Sequence, residues 1–475
     1  MSQKILILGA GLVARPIIKH LLSKGYSVTV ASNTPDRALL LVGGHPAGNA
    51  VLWDASDETS LDHLIKEHDI TVSLLPYAFH VMVARHCISH KKNMVTTSYV
   101  KPEMHELDAK AREAGVIILN EIGLDPGVDH MSAMRIIDHI HEKGGAVLEF
   151  HSICGALPAP EAADNPFKYK FSWSPKGVVM AGNNDALFLR HGKTVSVPTG
   201  DLFKDPFMVD FPEVGHLEVY PNRDSLAYKE IYGIPEAQTV YRGTFRFTGW
   251  CETLNVIKRL GLISYDKFDM SGMTYAGMMR RQINELNSRT TNNELRITSG
   301  EAVMNLNEIS NFVNYQKAKL RSEIADALGI SGDSHALDAL EWLGLFDEVP
   351  MNRKTDSTFE VVSDLMISKM GLGDHERDMV VMQHTFLAAY SDGRKEVIRS
   401  RMLDFGSPST DTSIARTVAL PAAIAVEMIL KGEIRETGVH IPVIPAIYNP
   451  VLNALEALGI KMNEEFGLPV SENIK

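Results

Sequence analysis

The sequence predicts an α/β fold: an N-terminal doubly wound parallel sheet, then a second α+β domain carrying a helical subdomain. Three observations support this. Six short apolar runs occupy the first 120 residues, with helical patterns between them. The first run ends in Gly9-Ala10-Gly11 at the start of a helical pattern. After Glu121 the texture changes to clusters rich in Pro, Gly and aromatic residues.

The elements follow in order. Lys4–Leu8 reads as a strand and Leu12 to Lys24 as a helix. Tyr26–Ala31 is the second strand, ending in polar Ser32-Asn33-Thr34. Val51–Trp53 is the third, followed by Asp54-Ala55 and a helix around Thr59–Glu67. Thr71–Leu75 is the fourth, halted by Pro76, which lacks an N–H. Met94–Thr97 is the fifth, a helix follows Pro102, and Val116–Leu119 is the sixth. Right-handed crossovers then set the general architecture. Further on, Val147–Ile153 and Thr239–Phe247 are strand-like, Met273–Val349 is mostly helical, and Ser413–Lys431 is an Ala-rich helix offset at Pro421. We expect that helix to return to the first domain. The predicted units are 1–122, 123–412 and 413–475.

Composition narrows the class. The chain has 475 residues, 45% hydrophobic and 22% charged, as in soluble globular proteins. Net charge is -12 and dispersed, which argues against a nucleic-acid or anionic-membrane partner. No stretch reads as apolar over the roughly 20 residues of a membrane helix. Three cysteines without a CxxC pair suit a reducing, cytoplasmic setting and offer no metal framework. No signal-type segment precedes the first strand, as a cytoplasmic chain requires. His80, His86, His90 and Cys87 share one helix without a matching acidic partner, so no metal is expected. The methionines of Met270–Met279 read as core packing, and Lys317–Arg321 as a solvated helix face.

Gly9-x-Gly11-x-x-Ala14 lies between a strand and a helix, where a dinucleotide fingerprint of the Rossmann type belongs. Gly9 allows the tight turn, Gly11 lets the backbone approach a pyrophosphate, and Ala14 allows close packing. Ala10, Leu12 and Val13 complete the cradle at the helix N-terminus. At the end of the second strand, Ser32, Asn33, Thr34 and Arg37 offer donors and a cation, and none of Ser32-Asn33-Thr34 is a carboxylate. That favours NADP over NAD, since an acid there would bond the free ribose 2′-hydroxyl. Capping of the next helix by Ser32 or Thr34 is compatible with this role. Asp54 and Ala55 are placed at the adenine end, or Asp54 is an N-cap. Leu75, at the end of the fourth strand, is placed at the cofactor.

Substrates of such folds gather at the carboxyl ends of the strands. Ser98, Tyr99 and Asp125 are the polar residues there. Loop polarity accounts equally for the first two, and a turn before Pro126-Gly127 for Asp125.

Five longer motifs add a resemblance. They are Gly123-Leu124-Asp125-Pro126-Gly127-Val128-Asp129-His130-Met131, Gly155–Glu161 (GALPAPE), Lys170–Val178 (KFSWSPKGV), Tyr220–Ser225 (YPNRDS) and Arg242–Arg246 (RGTFR). Together they resemble the saccharopine reductase family in content and order, across residues 1–265. Ala156 departs from the family's second Gly. Ala336–Gly344 and Ala415–Val418 agree more loosely. The resemblance implies NADPH-dependent reduction of the imine between L-glutamate and 2-aminoadipate 6-semialdehyde to give saccharopine, or the reverse. It implies that Ser98, Tyr99, Asp125, Arg223, Thr244, Phe245 and Arg246 line the substrate, and that Ser174, Pro175, Lys176 and Gly177 touch the cofactor. Arginine suits a ligand with three carboxylates, because its planar fork binds carboxylate bidentately. Asp125 and Tyr99 are the candidate proton carriers, with Cys154 as a neighbour. The family is commonly dimeric, and the chain carries no ketoglutarate-reductase half, which implies one function. Two other readings remain: an imine reductase of polyamines, of the carboxynorspermidine dehydrogenase or homospermidine synthase type, and a catalytically silent NADP-binding module.

Overall fold

The computed structural model describes residues 2–290, 306–408 and 410–474. The first half-sheet is built from β1 (Lys4–Leu8), α1 (Ala14–Ser23), β2 (Ser27–Ser32), α2 (Pro35–Val42) and β3 (Gly48–Leu52). The second half follows with α3 (Glu58–Glu67), β4 (Ile70–Ser73), α4 (His80–Ser89), β5 (Asn93–Thr96), α5 (Pro102–His105), α6 (Asp108–Ala114) and β6 (Ile117–Leu119). Strand ends differ from the sequence reading by a residue or a few, because ladder pairing rather than apolar content ends a strand. All these strands pair in parallel, in the order β6-β5-β4-β1-β2-β3. The winding therefore reverses between β1 and β4, which opens a crevice at their carboxyl ends.

After α7 (Val128–Glu142) the chain enters a second, mixed sheet. Its strands are β7 (Gly145–Pro158), β8 (Ala186–Arg190), β9 (Lys193–Val197), β10 (Phe207–Phe211), β11 (Gly215–Pro221) and β12 (Thr239–Phe247), with short helices α8 (Pro175–Ala181) and α9 (Tyr228–Ile231) between them. The helical subdomain holds α10 (Trp250–Arg259), α11 (Tyr275–Thr290), α12 (Leu306–Leu328), α13 (His335–Leu343) and α14 (Thr358–Lys369), tied by the small pair β13 (Lys267–Asp269) and β14 (Thr355–Ser357). This matches the helical reading of Met273–Val349, of which residues 291–305 lie outside the described residues. The chain then returns through β15 (Asp378–Tyr390) and β16 (Lys395–Phe405), which extend the second sheet from β7.

The last segment is α15 (Ser413–Lys431), β17 (Gly438–His440), α16 (Pro445–Ala457) and β18 (Asn463–Leu468). Helix α15 does return to the first sheet. It lies beside α1, where His20 Nε2 meets Glu427 Oε1 at 2.5 Å. β17 then adds a seventh parallel strand outside β6. Three residues between helices gave no such signal. Pro421 does not break α15, which runs unbroken through it. One expectation is corrected here: by length and composition the 19-residue α15 is apolar enough to cross a membrane. Its apolar side chains are instead packed into a core shared by α1, α7, α16 and β15, so its hydropathy reflects burial between domains.

Candidate active site

A cavity of about 560 Å3 opens where the first sheet faces the second. Gly11, Leu12, Val13, Leu74, Tyr99 and Asp125 line it from segments that follow strands of the first sheet, and Cys154, Arg223, Thr244 and Arg246 from segments of the second.

The fingerprint supplies the first three of these. Gly9 has φ +105, and a Cβ there would sit 3.1 Å from the Leu74 carbonyl oxygen. Only glycine suits that turn. At Gly11 a Cβ would meet nothing within 4 Å, leaving backbone open toward the crevice. Helix α1 begins there with no acidic residue in its first turn and no side chain on its free N–H groups. This donor set fits a pyrophosphate. Ala10 is buried beneath the turn and shapes it from below.

At the end of β2 the Ser32 and Thr34 hydroxyls bond each other at 2.9 Å, and Thr34 makes no side-chain cap on α2. Capping therefore does not occupy them. Asn33, Thr34 and Arg37 are exposed, and Arg37 has no ion pair among the described residues. Such a cluster fits a 2′-phosphate. Asp54 is exposed and accepts from Ser56 N at 3.0 Å; the N-cap of α3 is Asp57, which corrects the capping alternative. Ala55 lies half-buried beside it. Leu75 turns into the core on the far face of the sheet, and Leu74 takes the place at the cavity. Successive side chains point to opposite faces, so one residue of offset inverts the side. Ser174 and Gly177 line the cavity, whereas Pro175 and Lys176 do not. Lys176 faces away and pairs with Glu360 at 2.6 Å.

On strand β12 the same alternation separates three neighbours. Thr244 and Arg246 face the cavity. Phe245 faces the opposite way, fully buried against Phe211, and cannot line a substrate with its ring. Arg246 is 5% exposed, and its guanidinium lies 5.1 Å from the Tyr169 ring, 5.8 Å from Tyr220 and 5.3 Å from Trp250. Its Nη1 donates to the Phe245 carbonyl at 2.8 Å, and its buried Nε has no protein acceptor. Among the described residues no carboxylate pairs with it. A buried cation without a counter-ion is costly unless an anion arrives. Arg223, at the mouth, has φ +52 and stands 5.8 Å from the Tyr99 ring.

Tyr99 O–H donates to Asp125 Oδ1 at 3.1 Å. Burial pushes both the phenol and the Asp125 carboxyl up from their ordinary values; nearby Arg242 opposes both shifts. Cys154 lies at the wall, and burial raises its thiol well above the usual range, so it stays protonated. Ser98 does not reach the cavity wall. Its hydroxyl is held by His80 Nε2 at 2.8 Å, and His80 Nδ1 contacts Ser73 Oγ at 2.9 Å. Burial depresses His80 to about 4, so it is neutral. His86 and His90 share Asp62 Oδ1 at 3.0 and 2.7 Å, an acidic partner that spacing along α4 did not disclose. Among the described residues no three potential ligands converge on a metal site.

Sequence reasoning missed Arg242. It is 3% exposed and points from β12 to the same side as Thr244 and Arg246. Its position at i, i+2, i+4 with those two was the available signal. Glu121, Asp129 and His130 were missed as well: His130 Nε2 meets Glu121 Oε2 at 2.7 Å behind Asp125.

Two family models match the chain: the saccharopine dehydrogenase NADP binding domain over residues 5–119 and the saccharopine dehydrogenase C-terminal domain over residues 123–460. The chain is 35% identical over 469 residues to a Schizosaccharomyces pombe protein named saccharopine dehydrogenase [NADP(+), L-glutamate-forming], covering 97% of this chain and 98% of that one. A Bos taurus protein named mitochondrial alpha-aminoadipic semialdehyde synthase is 37% identical over 464 residues, and the match spans 97% of this chain but 47% of that relative. Among solved structures, apo histidine-tagged saccharopine dehydrogenase (L-Glu forming) from Saccharomyces cerevisiae superposes with a TM-score of 0.85 at 32% identity, covering 98% of this chain and 100% of that one.

Proposed function

Because the chain belongs to the saccharopine dehydrogenase family, we propose that it is an NADP-dependent oxidoreductase of lysine metabolism that interconverts saccharopine with L-glutamate and L-2-aminoadipate 6-semialdehyde. The observation that carries this reading is Arg246, a caged and buried guanidinium with no carboxylate of its own, beside Asp125 and the dinucleotide turn.

In the oxidative direction, saccharopine, NADP+ and water give glutamate, semialdehyde, NADPH and a proton. NADP+, when bound, supplies the hydride acceptor. Arg246 and Arg223 hold substrate carboxylates, which fixes the carbon to be oxidised in the cavity beside Tyr99 and Asp125. Asp125 takes the proton of the secondary amine. Tyr99, bonded to Asp125, relays protons as water adds to the imine carbon and the C–N bond breaks. Such general acid–base assistance contributes about 10²–10⁴-fold. Cys154, held as a thiol, shapes the wall.

A polyamine ligand would need acidic groups along its length. Among the described residues Asp125 is the one carboxylate lining the cavity, and Arg242 already engages it. The test is a panel of saccharopine, carboxynorspermidine and homospermidine with NADP+ and NAD+, followed by NADPH absorbance. Reduction with saccharopine and NADP+ supports the proposal. Turnover of a polyamine only, or of none with cofactor bound, overturns it in favour of the other two readings. We further propose a cytoplasmic homodimer. All three cysteines are free and buried, which suits a reducing compartment, and sedimentation tests the dimer.

A further inference from the structure

Asp125 occupies an unusual electrostatic position. Its carboxyl is 18% exposed and borders the cavity, while the groups behind it are nearly dry: the Arg242 side chain is 4% exposed and that of Asp129 1%. Arg242 Nη2 donates to Asp125 Oδ1, to Asp129 Oδ2 at 3.1 Å and to the Tyr99 hydroxyl at 3.3 Å. One amino group with two N–H bonds thus faces three acceptors. The rest of the guanidinium is fixed: Nη1 donates to Tyr228 O–H at 2.7 Å, and the plane lies 4.4 Å from the Tyr228 ring. Asp129 is fixed too, since its Oδ1 accepts from Gly127 N at 2.6 Å.

We infer that Arg242 and Asp129 are positioning residues for Asp125: the guanidinium clamps its carboxyl at the cavity wall, and Asp129, by sharing that guanidinium, weakens the guanidinium's hold on the Asp125 charge. The functional consequence rests on the reading proposed above. A carboxylate locked in a private buried ion pair is a poor base, because an adjacent cation favours the charged form by about one to three pH units. Sharing the cation restores proton affinity without freeing the side chain. The other groups facing Asp125 fit the same balance. Tyr99 is a neutral donor, and Cys154 on β7 stays protonated. Tyr228 and Tyr232 are held as neutral phenols by burial. His384 on β15 is depressed to about 3 and is neutral. Arg223 and Arg246 line the same cavity without bonding Asp125, and His130 on α7 is the other cation that acts on it. Burial works against its charge, but Asp129 and Glu121 raise it above the ordinary value, and its Nε2 is committed to Glu121. Arg242 and Asp129 are therefore the pair that sets the field at Asp125.

The experiment titrates Asp125 directly, in cofactor-free protein, by the infrared carbonyl band of its protonated carboxyl, identified as the band lost in Asp125→Asn. Asp129→Asn keeps an oxygen to accept from Gly127 N and removes only the charge. Its Asp125 midpoint is expected about one to two pH units below wild type. Arg242→Met is expected to shift it upward. Opposite shifts from two neighbouring buried substitutions are not produced by a merely structural role. An unchanged midpoint in Asp129→Asn, or no band lost in Asp125→Asn, overturns the inference; if Arg242→Met does not fold, Asp129→Asn decides alone. The acid limb of kcat/KM for saccharopine oxidation should move with the midpoint. A wild type that titrates as described yet leaves saccharopine unoxidised would defeat the functional proposal and not this one.

Discussion

Arg246→Met isolates the carboxylate grip. The substitution keeps length and apolar contact while removing the cation. Arg246 is 5% exposed and enclosed by Tyr169, Tyr220 and Trp250, so an arriving carboxylate meets a pre-oriented guanidinium away from bulk water. A hydrogen bond to a charged group is worth about 1.5–3 kcal/mol. Truncating one partner of a buried charge pair costs about 2–5 kcal/mol. Taking about 3 kcal/mol, kcat/KM for saccharopine should fall by about 10²-fold. The assay is NADPH formation at saturating NADP+ over a saccharopine series, with NADP+ affinity measured separately by calorimetry. NADP+ affinity should change little, because the phosphate cradle belongs to the β1–α1 turn and Arg246 to β12 of the second sheet. The folded protein should not be destabilised strongly, since the cation it loses had no protein counter-ion. A loss below about threefold in kcat/KM, in a folded variant with normal cofactor affinity, would refute the assignment.

Further outcomes concern the cofactor and pH. Gly11→Ala should leave the free protein's melting temperature unchanged, because its Cβ meets nothing within 4 Å, yet weaken NADP+ binding at least about tenfold. Gly9→Ala should lower both, given φ +105 and the Leu74 carbonyl at 3.1 Å; equal stability for the two variants would contradict this. Arg37→Ala should weaken NADP+ and spare NAD+, so parallel loss for both cofactors would exclude Arg37 from the 2′-phosphate site. His80 is depressed to about 4, and His151 and His384 to about 3, all mainly by burial. The unfolded chain binds their protons first. Their contribution is complete above pH 6.5, and each loses about 1.4 kcal/mol per pH unit as pH falls below that toward its folded value. Urea melts between pH 7 and 5 should show this slope, smaller by about one proton in His151→Gln; an unaltered slope would contradict the assignment.

Much of this was legible because it is local. The Gly9-x-Gly11-x-x-Ala14 turn is set by steric limits within six residues, and the apolar runs specify a sheet through period and length. The lack of an acid among Ser32-Asn33-Thr34, and the arginines of the YPNRDS and RGTFR motifs, were equally plain. Where local reading failed, the reason was direction. Phe245 and Leu75 are chain neighbours of cavity residues but point to the other face, and Lys176 turns to Glu360.

The sequence by itself determined the glycine-rich turn, the succession of the first six strands along the chain and the presence of cations for an acidic ligand, since each depends on neighbours along the chain. Tertiary structure alone decided the return of α15 to α1, the seventh strand β17, and which charges are satisfied. Arg242 comes from a strand more than a hundred residues beyond Asp125, yet they touch; Arg246, four residues along the same strand, meets no carboxylate among the described residues. Charge balance in a dry cavity is a matter of distance and burial, and those exist only once separate segments have packed together.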